Sequence, residues 1–235
     1  LCTPEIAVAN LRPGDSVYLS GNASTPWTLA HALAKRGNEL PGITVGHVLL
    51  LGEDPFHEAV EKGHFRHRAW FVGPADRQAV NNGNADFIPC HLSDIPRLLR
   101  RGIASFDVAL LMTSPPDKHG YLSLGVEVLA SLAVAETSKK VIVQVNPKMP
   151  RVLGNSFVHV SEVDAIVEAE EDLLELECTP PTEIEKAIAN HIVPLIPQQA
   201  TLQLGIGGIP NGVISLLNDR SDLGVHSEMI SNGVM

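Results

Sequence analysis

The sequence lacks the features that mark membrane-spanning and disulfide-bonded proteins. Its longest apolar runs, such as residues 108–112 and 192–196, are far shorter than the about 20 residues that a transmembrane helix needs. Its 3 cysteines, Cys2, Cys90 and Cys178, are far apart and form no C-x-x-C pair. We therefore expect reduced thiols, as in cytosolic proteins, and no membrane partner.

Basic residues are also scarce. The chain has 17 lysines and arginines against 27 aspartates and glutamates, for a net charge of −10. Its densest basic segment, residues 64–68, is too short for a nucleic-acid footprint, and the negative overall field would repel phosphate. We expect no nucleic-acid partner, although a helix N-terminus can still bind an anionic cofactor locally.

Motifs for metal binding and serine hydrolysis are missing as well. His57, His64 and His67 are assigned to a charged loop without ligand spacing, so no metal is expected. No G-x-S-x-G motif occurs, which disfavours an α/β-hydrolase. No signal peptide is visible, and the expected location is cytoplasmic. Because the chain begins at Leu1, a mitochondrial location after removal of an upstream transit segment is also compatible with the sequence.

The chain does contain an alternation of short strand-like and helical runs, which predicts an α/β fold with an open, mainly parallel sheet. Thr25 or Ser24 is expected to cap the first long helix, with Pro26 in its first turn. The predicted strands cover residues 16–20, 43–51, 87–90, 108–112, 141–145 and 165–168. The predicted helices cover residues 27–36, 73–80, 94–101 and 124–138.

A change in amino-acid composition near residue 180 predicts a domain boundary. The acidic segment 169–181 ends in two prolines and is the best linker candidate. Thr182, three residues before Glu185, then matches a capping box that opens a helix. We expect an N-terminal domain over residues 1–178, followed by a linker and the beginning of a second, similar domain over residues 179–235.

The last 35 residues combine a glycine turn with a nearby carboxylate. A predicted strand over 201–206 enters a turn that contains Gly205, Gly207 and Gly208, and Pro210 and Asn211 open a helix. A second predicted strand over 223–227 ends just before Glu228. In a parallel sheet the carboxyl end of this strand would lie close to the glycine turn. The turn is neither G-x-G-x-x-G nor a P-loop. A tight turn without a ligand and a solvated glutamate are the simpler interpretation; a carboxylate nucleophile beside oxyanion donors is the functional one.

A second candidate segment, residues 114–125, follows a buried strand. It is rich in proline, glycine and hydrogen-bonding side chains, among them Asp117, Lys118, His119 and Ser123. Either a structural loop or a binding loop would account for this composition.

Four segments in order carry a resemblance to a known family. They are GNASTPWTL (21–29), SPPDKHGYLSLG (114–125), VNPKMPRVLGNSFVHVSEVD (145–164), and LQLGIGGIPNGV with HSEMISNGV (202–213 and 226–234). The chain resembles the acetyl-CoA hydrolase/transferase family, and within it the 4-hydroxybutyrate and butyryl–acetate CoA-transferases most closely.

The resemblance implies two domains of the CoA-transferase (NagB/RpiA-like) type with the active site at their junction. It implies acyl-CoA and short-chain carboxylic acids as substrates, coenzyme A as the group transferred, and a homodimer. Glu228 matches the family's catalytic glutamate, which exchanges CoA through an acyl-glutamyl anhydride and a glutamyl-CoA thioester.

The resemblance also implies roles for the surrounding residues. The turn formed by Gly205, Ile206, Gly207 and Gly208, together with Asn211, is expected to bind the oxyanion or substrate. Two further segments are expected to lie near the substrate and CoA; they are Ser24, Thr25 and Pro26, and His119, Gly120 and Tyr121.

Some features depart from the family pattern. Gly212 replaces the alanine of many relatives, and Asn232-Gly233 replaces Asp-Gly. Family members are roughly twice as long, so the 235 residues alone are expected to show little or no transfer activity. An acyl-CoA hydrolase on the same scaffold and a non-catalytic CoA-binding fragment remain the alternatives.

Overall fold

The computed structural model describes residues 1–175, 179–230 and 234. The chain divides into two compact units, Leu1–Glu175 and Leu176–Met235. Cys178, Asn232 and Gly233, which are named above, lie outside the described residues. No helix in the described ranges is long and apolar enough to cross a membrane.

A seven-stranded parallel sheet forms the centre of the first unit. In chain order the strands of this unit are β1 (Ser16–Leu19), β2 (Ile43–His47), β3 (Phe65–Ala69), β4 (Ala85–Phe87), β5 (Val108–Thr113), β6 (Tyr121–Ser123), β7 (Lys140–Val145), β8 (Phe157–His159) and β9 (Ala165–Glu168). The sheet has the order β4-β3-β2-β1-β5-β7-β9, and every neighbouring pair is parallel. Strands β6 and β8 form a separate antiparallel ribbon.

The strand order places a topological switch point beside β1. From β1 the chain builds outward through β2 and β3 to β4, and it then returns to place β5 on the other side of β1. The connections that leave the carboxyl ends of β1 and β5 therefore diverge. In open α/β sheets such a point forms a crevice that binds ligands.

Helices cover both faces of this sheet. The helices of the first unit are α1 (Pro4–Val8), α2 (Trp27–Ala34), α3 (His57–Glu61), α4 (Arg77–Asn81), α5 (Ile95–Arg100) and α6 (Ser131–Thr137). Apolar residues of α1 to α4 pack on one face and those of α5 and α6 on the other. Every residue of β5 is buried, as expected for a central strand covered on two sides.

The second unit contains two helices and two short strands. They are α7 (Glu183–Ile192), β10 (Thr201–Leu202), α8 (Gly208–Ser215) and β11 (Gly224–Val225). The predicted capping box is confirmed, since Thr182 and Glu185 exchange side-chain and backbone hydrogen bonds at the start of α7. Ala189, Val213 and Leu217 form a small buried cluster of this unit.

Several predicted boundaries are wrong for identifiable reasons. The helix predicted over 124–138 begins at Ser131, because Gly125 has a φ of +69° and packs so closely on Met149 that a Cβ would clash. The helix predicted over 73–80 begins at Arg77, because the Asp76 carboxylate accepts a hydrogen bond from the Gly73 N–H (2.8 Å) and closes a turn there.

Strand limits also differ from the sequence-based expectations. Strand β2 ends at His47 rather than near residue 51, and β4 covers Ala85–Phe87 rather than 87–90. Strand β10 ends at Leu202, so the remainder of the predicted 201–206 strand already belongs to the glycine turn. Strand β3 was not predicted. Along this strand Phe65, His67 and Ala69 are buried, and the residues between them are more exposed.

Candidate functional site

The glycine turn of the second unit presents backbone donors at the start of α8 that have no acceptor among the residues described. Gly207 is the N-cap of α8, with φ +119° and ψ −179°, a conformation that is essentially restricted to glycine. The first four N–H positions of a helix have no intrahelical acceptor. Pro210 has no N–H at all, so Gly207, Gly208 and Ile209 supply the donors of this turn.

Helix α8 begins two residues earlier than predicted, and this changes the role open to Asn211. The Asn211 N–H donates to the Gly207 carbonyl (3.2 Å), the first hydrogen bond of the helix. Its backbone is therefore engaged, and only its half-buried side chain can act on a ligand. Gly205 and Ile206 form the first part of the turn and are exposed.

Parallel pairing brings Glu228 to this turn. Strands β10 and β11 pair with Leu202 opposite Val225, and the His226 N–H donates to the Leu202 carbonyl (2.9 Å). The Ser227 hydroxyl then donates to the Leu204 carbonyl (2.9 Å) and accepts from the Leu204 N–H (3.0 Å). Ser227 is thus held beside Leu204, one residue before Gly205, and the exposed Glu228 follows Ser227 directly in the chain.

Gly208 is required by close contact with a carboxylate. A Cβ on Gly208 would overlap the Glu185 carboxylate, whose Oε2 accepts hydrogen bonds from the Thr182 N–H (2.7 Å) and hydroxyl (2.9 Å). These bonds lower the pKa of Glu185 below its usual range. The capping box of α7 and the glycine turn are therefore in direct contact.

This contact predicts the cost of Gly208→Ala. The new methyl group displaces the Glu185 carboxylate from the Thr182 N–H and hydroxyl, which breaks one half of the capping box and lowers the free energy of unfolding by about 1 kcal/mol. Gly212→Ala is the matched control, because a Cβ there meets Ala189 at an ordinary 3.5 Å. Urea unfolding should show Gly208→Ala destabilised and Gly212→Ala not. Equal effects of the two substitutions would contradict the assignment.

In the first unit, Ser24, Thr25 and Pro26 lie in the loop that follows β1, and all three are buried. The Ser20 hydroxyl donates to the Ser24 carbonyl (2.7 Å), while the Ser24 hydroxyl has no partner among the described residues. The loop leaves the sheet at the switch point beside β5. Its position suits a ligand crevice, but these side chains face inward.

The predicted cap of α2 is wrong. Pro26 is the N-cap, and the Thr25 hydroxyl donates to the Asn22 carbonyl (3.0 Å) instead. The first α2 amides are satisfied by side chains distant in sequence: Thr28 N–H donates to Glu171 Oε1 (2.9 Å), and Leu29 N–H to Gln144 Oε1 (3.3 Å). The N-terminus of α2 is thus already occupied by acceptors, whereas the first amides of α8 make no hydrogen bond within the described part of the chain, although the Glu185 carboxylate lies against Gly208.

The 114–125 segment is a rigid turn with an exposed tip. The Asp117 carboxylate accepts from the N–H groups of His119 (2.8 Å) and Tyr121 (2.9 Å) and from Arg151 (2.8 Å). Gly120 has a φ of +85°. Asp117 and the buried Ser123 therefore hold the loop, whereas His119 and Tyr121 are exposed.

A buried polar network in the first unit escaped the sequence-based expectations. His67 lies in β3 and His57 opens α3, so their assignment to a charged loop is wrong. His67 Nε2 lies 3.0 Å from Asp54 Oδ2, and its Nδ1 lies 3.3 Å from His47 Nε2. His47 Nε2 is 3.6 Å from Asp76 Oδ2. In the sequence of β3, FRHRA, arginines alternate with the residues that are buried, and this period of two was the only local sign of a strand.

The network does not resemble a metal centre. In the described part of the chain no group of three or more histidine, cysteine, aspartate or glutamate side chains could hold a metal ion. Burial and, less strongly, the neighbouring His67 lower the pKa of His47 to about 3, while Asp54 opposes this shift. Burial raises the pKa of Asp76. A neutral His47 is therefore part of the folded state.

The depressed pKa of His47 predicts acid destabilisation. From pH about 6.5 down to about 3, the unfolded chain binds a proton at His47 that the folded chain does not. This contribution lowers the free energy of unfolding by about 1.4 kcal/mol per pH unit as pH falls, while the raised pKa of Asp76 acts in the opposite direction. Denaturant unfolding across this range should be less steeply pH-dependent in His47→Gln; an unchanged slope would contradict the prediction.

The acetyl-CoA hydrolase/transferase N-terminal domain family matches residues 1–176. The chain is also 43% identical, over its whole length, to the 4-hydroxybutyrate coenzyme A transferase of Clostridium kluyveri. The chain belongs to the acetyl-CoA hydrolase/transferase family. It spans 55% of the length of that relative, so the chain corresponds to about half of such a protein.

Comparison with a solved structure supports the same fold. The crystal structure of 4-hydroxybutyrate CoA-transferase from Porphyromonas gingivalis is similar with a TM-score of 0.86 at 32% identity, over 100% of this chain and 55% of that one. The predicted fold of the CoA-transferase type is thereby confirmed. The acetyl-CoA hydrolase of Yarrowia lipolytica is more distant, at 27% identity over 70% of this chain and 40% of that relative.

Proposed function

We propose that the protein that carries this chain is an acyl-CoA:carboxylate CoA-transferase of the 4-hydroxybutyrate, butyrate and acetate type, with Glu228 as its nucleophile. One observation supports the proposal: Ser227, the residue before Glu228, is hydrogen-bonded to the Leu204 backbone, one residue before the glycine turn that opens α8. Glu228 is exposed, so its carboxylate is open to a substrate.

The first half of the reaction transfers the acyl group and then CoA. A Glu228 carboxylate oxygen attacks the thioester carbonyl carbon, the C–S bond breaks, and CoA leaves as a thiolate. The product is a mixed anhydride. The thiolate then attacks the Glu228 carbonyl carbon, the anhydride C–O bond breaks, and the donor acid leaves as a carboxylate. Glu228 now holds CoA as a thioester.

The second half reverses these steps with a new acid. The acceptor carboxylate attacks the Glu228 thioester carbonyl and releases the CoA thiolate, and the thiolate attacks the acceptor's acyl carbon in the new anhydride. This forms the new acyl-CoA and regenerates Glu228. Each addition creates an oxyanion, and the proposal assigns its stabilisation to the N–H groups of Gly207, Gly208 and Ile209 at the start of α8.

Acyl-CoA hydrolysis is the second candidate function, on the basis of the shared family scaffold. The greater similarity to a CoA-transferase than to a hydrolase favours transfer. Incubation with acetyl-CoA and butyrate should give butyryl-CoA and acetate, and no free CoA should accumulate either with butyrate or without it. Rapid release of CoA without an acceptor acid would instead identify a hydrolase.

The remaining family traits are also proposals. We propose a homodimer that works in the cytoplasm, with Ser24–Pro26 and His119–Tyr121 near the bound acyl-CoA. The position of these two loops at the sheet's switch point supports their role. Analytical ultracentrifugation of the protein should give twice the protomer mass.

A further inference from the structure

The segment that follows β9, residues 169–175, crosses the carboxyl edge of the sheet in the first unit. It begins beside β7, where the Ala169 N–H donates to the Val145 carbonyl (3.1 Å). It then reaches α2, the helix that follows β1, because Glu171 contacts the first turn of that helix. Strand β5 lies between β7 and β1 in the sheet order, so the segment spans the switch point.

The Glu171 carboxylate caps α2 although it comes from a distant part of the chain. Its Oε1 accepts hydrogen bonds from the Thr28 N–H (2.9 Å) and from the Thr28 hydroxyl. The first amides of a helix have no intrahelical acceptor, and the residue at the N-cap position, Pro26, has no side-chain acceptor to offer them. Glu171 supplies the missing acceptor, and an acidic side chain is favourable at a helix N-terminus.

Asn146 fixes the backbone of Glu171. The Asn146 side chain is fully buried; its Nδ2 donates to the Glu171 carbonyl (2.9 Å), and its Oδ1 accepts from the Glu171 N–H (3.3 Å). The same Oδ1 accepts from the Lys148 N–H (3.0 Å), which holds Asn146 in the turn after β7. The backbone and the side chain of Glu171 are therefore both engaged, and its carboxylate is presented to α2 from a fixed position.

The helix start that Glu171 holds is also the end of the 20–26 loop. The first part of this loop is anchored through Asn22, whose N–H donates to the Leu49 carbonyl (2.9 Å). The last part, residues 24–26, leads directly into α2. The position of this last part at the switch point therefore depends on the contact between Glu171 and the helix.

We propose that Glu171 is a positioning residue: its carboxylate holds the start of α2 and thereby places residues 24–26 at the switch point between β1 and β5. The significance of these residues for acyl-CoA rests on the proposed function, whereas the contact between Glu171 and α2 does not. Glu171 acts through the loop and touches no substrate.

Amide hydrogen exchange of Glu171→Met tests the proposal, because methionine keeps the length of the side chain but has no acceptor oxygen. Protection of the Ser24 and Thr28 amides should fall about tenfold or more, the equivalent of one lost hydrogen bond to a charged group. The Ser20 amide, which donates to the Leu110 carbonyl within the sheet (3.0 Å), should keep its protection. A loss confined to Thr28 would make Glu171 a local cap and would overturn the positioning role.

Two matched variants and one substitute complete the exchange experiment. Glutamine keeps one acceptor oxygen for Thr28, so Glu171→Gln should retain protection within about threefold of the wild-type value. Asp172 is an exposed acid that pairs with Lys148 (2.7 Å), and Asp172→Asn should leave the Ser24 and Thr28 amides unchanged. If Glu171→Met does not fold, Thr28→Val replaces it; the loss of the hydroxyl donor should also loosen Ser24. Ser24 protection equal to that of Asp172→Asn would refute the proposal.

Transfer activity is measured separately from exchange. If the wild-type protein transfers CoA, Glu171→Met should raise the KM for acyl-CoA about tenfold relative to Asp172→Asn and leave kcat within about twofold, because a displaced binding loop weakens substrate binding. An unchanged KM would overturn the role of Glu171 in the reaction. A wild-type protein without transfer would refute the proposed function, while the exchange of Ser24 would still decide whether Glu171 positions the loop.

Discussion

Glu228→Gln is expected to lower kcat for CoA transfer by more than about 10³-fold, because the amide cannot form the acyl-glutamyl anhydride from which both half-reactions proceed. Glu228 is exposed and its side chain makes no hydrogen bond among the described residues, so the fold should survive the substitution. The variant should therefore unfold at the wild-type urea concentration. Transfer is measured as conversion of acetyl-CoA and butyrate to butyryl-CoA.

Glu183→Gln is the control for this prediction. Glu183 is an exposed glutamate of the same unit, and its carboxylate pairs with Lys186 (2.8 Å) in the first turn of α7. Its neutralisation should leave kcat within about twofold of the wild-type value, since exposed ion pairs contribute little. Transfer retained by Glu228→Gln, at any rate close to that of Glu183→Gln, would remove Glu228 from the mechanism.

Gly207→Ala should have the second-largest effect, through backbone conformation. A Cβ on Gly207 would meet nothing within 4 Å, so crowding is not the reason. Its φ of +119° with ψ of −179° is instead a region that alanine enters at a cost of about 1–3 kcal/mol. The turn should relax to another conformation and misdirect the Gly208 and Ile209 donors. We expect kcat to fall about 10²–10³-fold, the typical effect of losing an oxyanion donor.

Gly63→Ala separates strain from catalysis. Gly63 also has a positive φ, +71°, and a Cβ added to it would likewise meet nothing within 4 Å, but it lies between α3 and β3. Both variants should lose some stability in urea unfolding, while only Gly207→Ala should lose kcat. An equal loss of kcat in the two variants, or an unaltered kcat in Gly207→Ala, would contradict the assigned role of the turn.

The general fold could be predicted because its strands and helices carry strong local signals. Strand β5 is an uninterrupted apolar run, and Thr182 with Glu185 forms the capping box that opens α7. Strand β3 escaped prediction because the buried side of the strand includes a polar residue, His67. Its burial depends on a hydrogen bond with Asp54, which lies 13 positions earlier in the chain. Polar residues buried through distant partners leave little trace in a local pattern.

The candidate site also combines features that local sequence patterns predict with features that depend on distant residues. The adjacency of the glycine turn and Glu228 follows from parallel strand pairing and could be anticipated from sequence. The engagement of the α2 amides by Glu171 and Gln144 could not. These acceptors come from segments more than 100 residues away, and only the folded chain brings them to the loop.

Trapping of the covalent intermediate tests the central claim most directly. The protein is incubated with acyl-CoA without an acceptor acid, treated with borohydride, digested and analysed by mass spectrometry. We predict that a thioester on Glu228 is reduced to the alcohol, with a matching loss of transfer activity, and that Glu228→Gln shows no such product. An active protein whose Glu228 stays unmodified, or one that carries the adduct at another residue, would contradict the proposed role of Glu228.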